Sequence, residues 1–123
     1  MSSTTFSGPV TSTNGFIGNV TGNVTGDVIA TNQALSGAGA VNLTDMLTSL
    51  TSTGSAQALT LANGTLGQLK IISHVVDGGS AVLTPTTKIG FSTITFTGVG
   101  ESAMLVYTAA GWAIVALNGA VAA

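Results

Sequence analysis

The sequence predicts an all-β protein with an extended N-terminal arm, and three observations lead to this prediction. Hydroxyl side chains are abundant, with 12 Ser and 20 Thr among 123 residues, and Thr favours strands. Short apolar runs alternate with turn signals from about residue 41 onwards. Residues 18–28 instead repeat one four-residue phrase. We therefore expect an arm with a strand repeat over residues 1–29, a hinge over 30–40, and a β-sandwich or jelly-roll-like domain over 41–123, in a homotrimer.

The tetrad repeat, residues 18–28, reads GNVTGNVTGDV. Side chains of a strand alternate between two faces, so a period of four keeps each residue type on one face. Val20, Val24 and Val28 then share a face with the glycines. A single strand cannot bury such a face, and the glycines leave gaps where another backbone could approach. The repeat is therefore interpreted as a segment that packs against copies of itself, with a flexible linker as the alternative.

Eight strands are predicted in the rest of the chain, between Gly-containing turn signals. They are placed near residues 41–44, 46–51, 57–62, 67–76, 80–85, 92–97, 103–108 and 111–118. The segment NLTDMLTSLTSTG could instead form a short helix capped by Thr44. Both faces of the runs MLVY and WAIVAL are apolar, so these two strands are expected to be central or to lie at an interface.

Charged residues are scarce, and this limits the possible functions. Two Lys and four acidic residues make up 5% of the chain, with a net charge of −2, whereas about 25% is typical. A protein that binds nucleic acid through phosphates needs several cations, so nucleic acid is not an expected partner. So little charge is available to hydrate a surface that we expect much of each chain to face other protein.

No cluster of acids, bases or nucleophiles stands out, so we expect no enzyme activity, cofactor or metal site. His74 and Lys70 share one face of a predicted strand. His74 is expected to be packed or hydrogen-bonded, and Lys70 to be an exposed or snorkelling edge residue. Asp77 is assigned to turn chemistry. Glu101 is expected to keep its loop hydrated, with a pair to Lys70 or Lys88 of another chain as the alternative.

A membrane span and a secretory signal are not expected. Residues 102–123 carry no charge over 22 positions, and about 20 apolar residues can cross a bilayer. The central YTAAGW is nevertheless typical of a turn between two strands. The N-terminal MSSTTFSGPV lacks the basic and apolar regions of a secretory signal.

Several phrases of the sequence resemble small structural proteins of tailed bacteriophages. They are TTFSGPVTSTNGFIGNVTG, LTSTGSAQALTLANGTLGQLKIISHVVDGG, AVLTPT and STITFTGVGESAMLVYTAAGWAIVALNGA. The resemblance is to head decoration, or cement, proteins and to related fibre domains. It implies a homotrimeric all-β protein whose arm anchors to the virion while the β domain projects outward. The chain lacks a fibre shaft, which favours a knob on the capsid.

This resemblance implies a set of interaction residues. The anchor to the major capsid protein is expected at Phe6, Pro9, Val10, Phe16 and Ile17. The trimer interface is expected at the valines of the repeat, Val20, Val24 and Val28, and at Leu105 and Ile114 in the last two strands. The implied function is a decoration protein on the outer capsid surface that stabilises the assembled head. The alternative is a short tail fibre or receptor-binding tip that recognises host surface glycans.

Overall fold

The computed structural model describes Thr5 and residues 7–15, 17–18 and 20–123, and the all-β prediction is confirmed over this part of the chain. No helix occurs among the described residues. The ten strands are β1 (Asn32–Ser36), β2 (Gly39–Val41), β3 (Leu47–Thr51), β4 (Gln57–Leu61), β5 (Leu69–Val76), β6 (Ala81–Pro85), β7 (Ile94–Phe96), β8 (Ser102–Thr108), β9 (Gly111–Asn118) and β10 (Val121–Ala122).

The strands form two five-stranded sheets. The first sheet has the order β1-β3-β5-β8-β9 and the second has the order β10-β7-β6-β4-β2. From β1 to β6 the chain alternates between the sheets, and each strand pairs in parallel with the next strand of its own sheet. Residues 32–85 therefore wind in three stacked coils, each giving one strand to each sheet, as in a β-solenoid. The later pairs, β5 with β8, β8 with β9, β6 with β7 and β7 with β10, are antiparallel.

Two facing sheets agree with the β-sandwich prediction, but the parallel pairs do not fit a jelly roll, which is built from antiparallel Greek keys. Two parallel strands of one sheet need a crossover of a dozen or more residues. Here the strand in the opposite sheet is part of that crossover. Turn signals in a sequence mark where a strand ends, but they do not tell which sheet the chain enters next.

Strand positions agree well with the sequence, except at the start of the domain. Seven of the eight predicted strands overlap β3 to β9, whereas the one near 41–44 meets β2 only at Val41. Residues 30–40, expected to form a hinge, contain β1 and most of β2. Leu35 is the one large apolar residue of this segment, and it packs against the core. A single such residue among small ones gives only a weak sequence signal for a strand. The helix proposed after Thr44 is wrong, because 47–51 is β3.

The described residues of the arm form no strand in the single chain. The chain bends at Gly18, Gly22 and Gly26, where φ is 124°, 121° and 116°. These values lie in the region that favours glycine. The sequence repeat is therefore also a backbone repeat, and the predicted straight strand over 18–28 is interrupted at every fourth residue. Every described residue from 5 to 29 is exposed.

The core lies between the sheets and is made from alternate residues of the strands. Its large buried side chains include Trp112, Phe96, Leu50 and Ile72. Trp112 stands at the end where the β8–β9 hairpin closes, beside Gly111. A Cβ on Gly111 would lie 2.7 Å from the carbonyl carbon of Thr87, and its φ is 118°.

Gly111→Ala should lower the free energy of unfolding by more than about 2 kcal/mol, since it combines an unfavourable φ with a backbone clash. Gly100→Ala is the matched control, because Gly100 has a φ of 88° and open space around its Cβ position. The free energy of unfolding of the control should fall only by the cost of placing alanine at a positive φ, about 1–2 kcal/mol. Urea unfolding followed by Trp112 fluorescence measures both. Equal losses in the two variants would show that the close approach at Gly111 does not matter.

Candidate interaction surfaces

The predicted capsid anchor is exposed where the structure describes it. Val10 is 48% exposed and Ile17 is fully exposed, and Pro9 is also at the surface. Phe6 and Phe16 lie outside the described residues. An exposed apolar segment without charge is suited to contact with another protein.

The three valines of the repeat are also uncovered by their own chain. Val20, Val24 and Val28 are 68%, 60% and 76% exposed. The Cβ positions of the repeat glycines have no neighbour within 4 Å. The arm therefore offers evenly spaced, largely exposed apolar side chains separated by open backbone at the glycines.

Leu105 and Ile114 are predicted to lie at the trimer interface, but both point into the core of their own chain. Leu105 is fully buried and pairs across the strands with Lys70 on one side and Ile114 on the other. Ile114 packs against the same core. Both belong to the inward face of the first sheet, so we remove them from the expected subunit interface. Because both faces of β8 and β9 are apolar, the sequence pattern could not tell which face is inward.

The outward face of the first sheet carries a continuous apolar surface, which we call the apolar face. It comprises Leu47, Leu69, Ile71, Met104, Val106, Ala113 and Ala116. Strand register sets Leu47, Ile71, Met104 and Ala116 side by side in one row, and Leu69, Val106 and Ala113 in the next. A third row contains Ser49, Ser73 and Ser102. Along the strand direction, the outward side of the sheet therefore changes from apolar side chains to serine hydroxyls.

Sequence reasoning missed this face, although a signal for it was present. Leu69 and Ile71 alternate with Lys70 and Ile72, so their strand offers apolar side chains in both directions. The charged residues lie elsewhere: Asp27 is in the arm, Lys70 points inward, and Asp45, Asp77, Lys88 and Glu101 are outside the strands. The apolar face therefore contains no charge.

Lys70 is fully buried on β5, which is a central strand, so the prediction of an exposed edge residue is wrong. Its side chain reaches the loop that precedes β3. Its Nζ donates a hydrogen bond of 2.6 Å to the carbonyl oxygen of Asp45. Burial lowers the pKa of Lys70, and the nearby Asp45 carboxylate opposes this effect. Hydrogen bonding from Asn42 is the main cause that lowers the pKa of Asp45.

His74 is buried and hydrogen-bonded, as predicted. Its Nε2 lies 2.9 Å from the hydroxyl of Ser52, which also accepts a hydrogen bond from the backbone N–H of Gly78. The imidazole meets the ring of Phe96 edge to face at 6.4 Å. Nδ1 of His74 has no partner among the described residues. Ser52 and His74 are both buried, and no pocket occurs in the described part of the chain.

Two acidic residues organise turns. The backbone N–H of Gly79 donates to Asp77 Oδ1 at 2.9 Å, which confirms the turn assignment of Asp77. Glu101 accepts hydrogen bonds from the backbone N–H of Thr97 at 2.6 Å and from its hydroxyl at 2.9 Å. The backbone hydrogen bond from Thr97 is the main cause that lowers the pKa of Glu101.

The aromatic pair of the last hairpin belongs to the core. Trp112 is fully buried, and its indole N–H donates to the carbonyl oxygen of Ala62 at 2.8 Å. Half-buried Tyr107 packs edge to face on it with ring centroids 5.2 Å apart. The indole is therefore not presented to stack on a sugar ring.

Two further kinds of site were sought in the described residues. None of their His, Asp and Glu side chains gather in a group of three that could hold a metal ion. The same part of the chain has no helix long and apolar enough to cross a membrane. The residues of chemical interest are thus the exposed arm, the apolar face and the buried polar groups of β5.

Comparison with known proteins gives no family assignment, because no protein-family model and no curated protein matches the chain.

Lys70→Met should leave the protein as stable or more stable near pH 7, because a well-packed apolar residue avoids the cost of a buried charge. It should also remove a pH dependence. Because burial lowers the pKa of Lys70 below 10.5, the unfolded chain holds a proton that the folded chain has released between the lowered pKa and 10.5. The stability of the native protein should therefore rise with pH through this window.

Urea unfolding between pH 7 and 10.5 compares the two proteins. The two proteins differ only at position 70, so the difference between their pH slopes reports Lys70. An identical pH slope in the native protein and in Lys70→Met would contradict the assignment.

Proposed function

We propose that the protein is a structural component of a bacteriophage virion, a homotrimeric decoration protein on the outer surface of the capsid. The observation that carries the proposal is the arm, in which Asp27 is the one charged side chain and valines are largely exposed at every fourth residue. The resemblance of the sequence to head decoration proteins supports the same function. In this proposal the major capsid protein is the partner of the first part of the arm.

The division of the chain into an exposed arm and a packed β unit suits such a role. The strands bury their core without help from the described residues of the arm, all of which are exposed up to residue 29. The arm can therefore bind elsewhere without unfolding the β unit. Pro9, Val10 and Ile17 supply apolar contacts for the capsid, and the tetrad repeat supplies contacts between copies.

The proposed mechanism is thermodynamic. A protein that binds only the assembled shell stabilises the shell by mass action. Three anchors joined in one trimer bind together, so weak individual contacts give a strong total attachment. The low charge content of the chain supports a role in which much of its surface is in contact with other protein.

Deletion of residues 1–17 should abolish binding to phage heads while leaving a folded oligomer. The deletion removes the anchor but leaves the tetrad repeat and all ten strands. Co-sedimentation with heads stripped of the protein measures binding, and circular dichroism and light scattering check the fold and the mass. Co-sedimentation of the truncated protein at the native level would show that the anchor lies elsewhere.

Val24→Asp should break the oligomer, because it places one charge per copy where the valines are proposed to exclude water. Thr25→Asp is the matched control, since it adds the same charge at the next position, among the polar residues of the repeat. Light scattering of both variants reports the mass. An intact trimer of normal melting temperature in Val24→Asp would place the repeat outside the subunit contact.

A further inference from the structure

We propose that the apolar face of the first sheet is a contact surface for a second copy of this chain. This inference rests on the homo-oligomeric part of the proposed function and adds a surface that lies outside the arm. It replaces Leu105 and Ile114, which point inward, with residues from the opposite side of the same sheet.

The composition of the face matches a protein–protein contact. Leu47, Ile71 and Met104 are neighbours across three strands, and Leu69 and Val106 lie directly beside them. The serine row forms a polar border along one side. An apolar centre with a polar rim is the usual anatomy of an interface.

The absence of charge on the face favours a copy of the same chain as the occupant. In a cyclic oligomer, residues close to the symmetry axis meet their own copies, so a charge near the axis would be repelled by the same charge on the other copies. No charged residue is part of the face, since each lies in the arm, in the interior or outside the strands. The face can therefore meet its copies without repulsion.

The outward face of the second sheet differs. Its residues are mostly small or carry hydroxyls: Ala40, Ala58, Thr60, Val82, Thr84, Thr95 and Val121. Thr60 and Thr84 are neighbours in the register of β4 and β6. This face offers hydrogen-bonding groups to water where the first sheet offers Leu, Ile and Met. The two sides of the molecule are therefore not equivalent.

The apolar face is smaller than a stable interface of standard size, so we expect the arm to contribute to the same contact. Four strands spaced about 4.8 Å apart, over about five residues each, give a flat area of about 19 Å by 17 Å. This is roughly two-fifths of the 800 Å² that each partner buries in a stable interface of standard size. The arm enters β1 at Asn32, in the same row as Leu47 and Ile71. Val28 and Ile29, 76% and 87% exposed, lie just before it. Exposed apolar residues of the arm thus precede the first row of the face by only three or four residues in sequence, and their burial in the same contact would add to its area.

The first test compares Ile71→Asp with Thr84→Asp in the full-length chain. Ile71 is at the centre of the apolar face, and Thr84 occupies the outward side of the second sheet. At micromolar concentration Ile71→Asp should fall to the mass of a monomer in light scattering, or require at least tenfold more protein to assemble. Thr84→Asp should keep the native mass. Emission from the buried Trp112 confirms that each variant is folded. A native mass for folded Ile71→Asp, or a monomeric native protein, would overturn the inference.

A second test does not depend on the tolerance of position 71 for charge. The chain has no cysteine, so Met104→Cys and Thr84→Cys each carry a single thiol. A short bifunctional maleimide should link copies of Met104→Cys and should leave Thr84→Cys uncrosslinked. Equal crosslinking of the two, or none in Met104→Cys, would overturn the inference. Neither test uses capsids, so a failure of the capsid proposal in co-sedimentation is distinguished from a failure of this contact.

Discussion

The alternation of side chains along β5 is the constraint on which the rest of the structure depends. β5 is the central strand of the first sheet, with β3 on one side and β8 on the other. Its odd-numbered residues Leu69 and Ile71 face outward, and Lys70, Ile72 and His74 face the second sheet. Register carries the same division to the neighbouring strands, because a shift by one residue would exchange the two faces. One strand therefore fixes which groups must find partners inside and which apolar side chains remain outside.

The interior accepts Lys70 and His74 because each side chain has a hydrogen-bond partner, although Nδ1 of His74 has none among the described residues. An unpaired buried polar group costs free energy. Lys70 reaches the carbonyl oxygen of Asp45 in the loop that precedes β3, and His74 reaches Ser52 just after β3. The partners thus come from the two ends of the same neighbouring strand. Because β3 and β5 are parallel, the loop before β3 lies beside Lys70 and the residue after β3 lies beside His74; an antiparallel pair would exchange these two partners.

The sequence predicts the strands much better than it predicts how they are joined. Turn signals such as Asp77-Gly78 mark strand ends by local chemistry, and seven strands follow from them. The sequence also predicts that His74 and Lys70 share one face of the strand. It does not predict that Lys70 is buried, because burial depends on how the rest of the chain folds. The same limit explains Leu105 and Ile114. A strand that is apolar on both faces contains no information about the inward direction, and only the register with β5 supplies it. The bends at Gly18, Gly22 and Gly26 were missed because a period of four also fits a straight strand.

The arm and the apolar face would contribute differently to the alignment of the copies in the proposed assembly. A repeat of four residues looks the same after a shift of four, so two arms packed together have several registers of similar energy; only Asp27 breaks the repeat. The β unit has no such degeneracy, since each of its rows is unique. In the proposed assembly, contact through the apolar face would hold equivalent residues of each copy at the same level, and the arms leaving from Asn32 would then start in register. The repeat would add buried area, and the sheet would decide the alignment. A charge-poor chain with a degenerate repeat needs such a second contact, because apolar packing has no direction of its own.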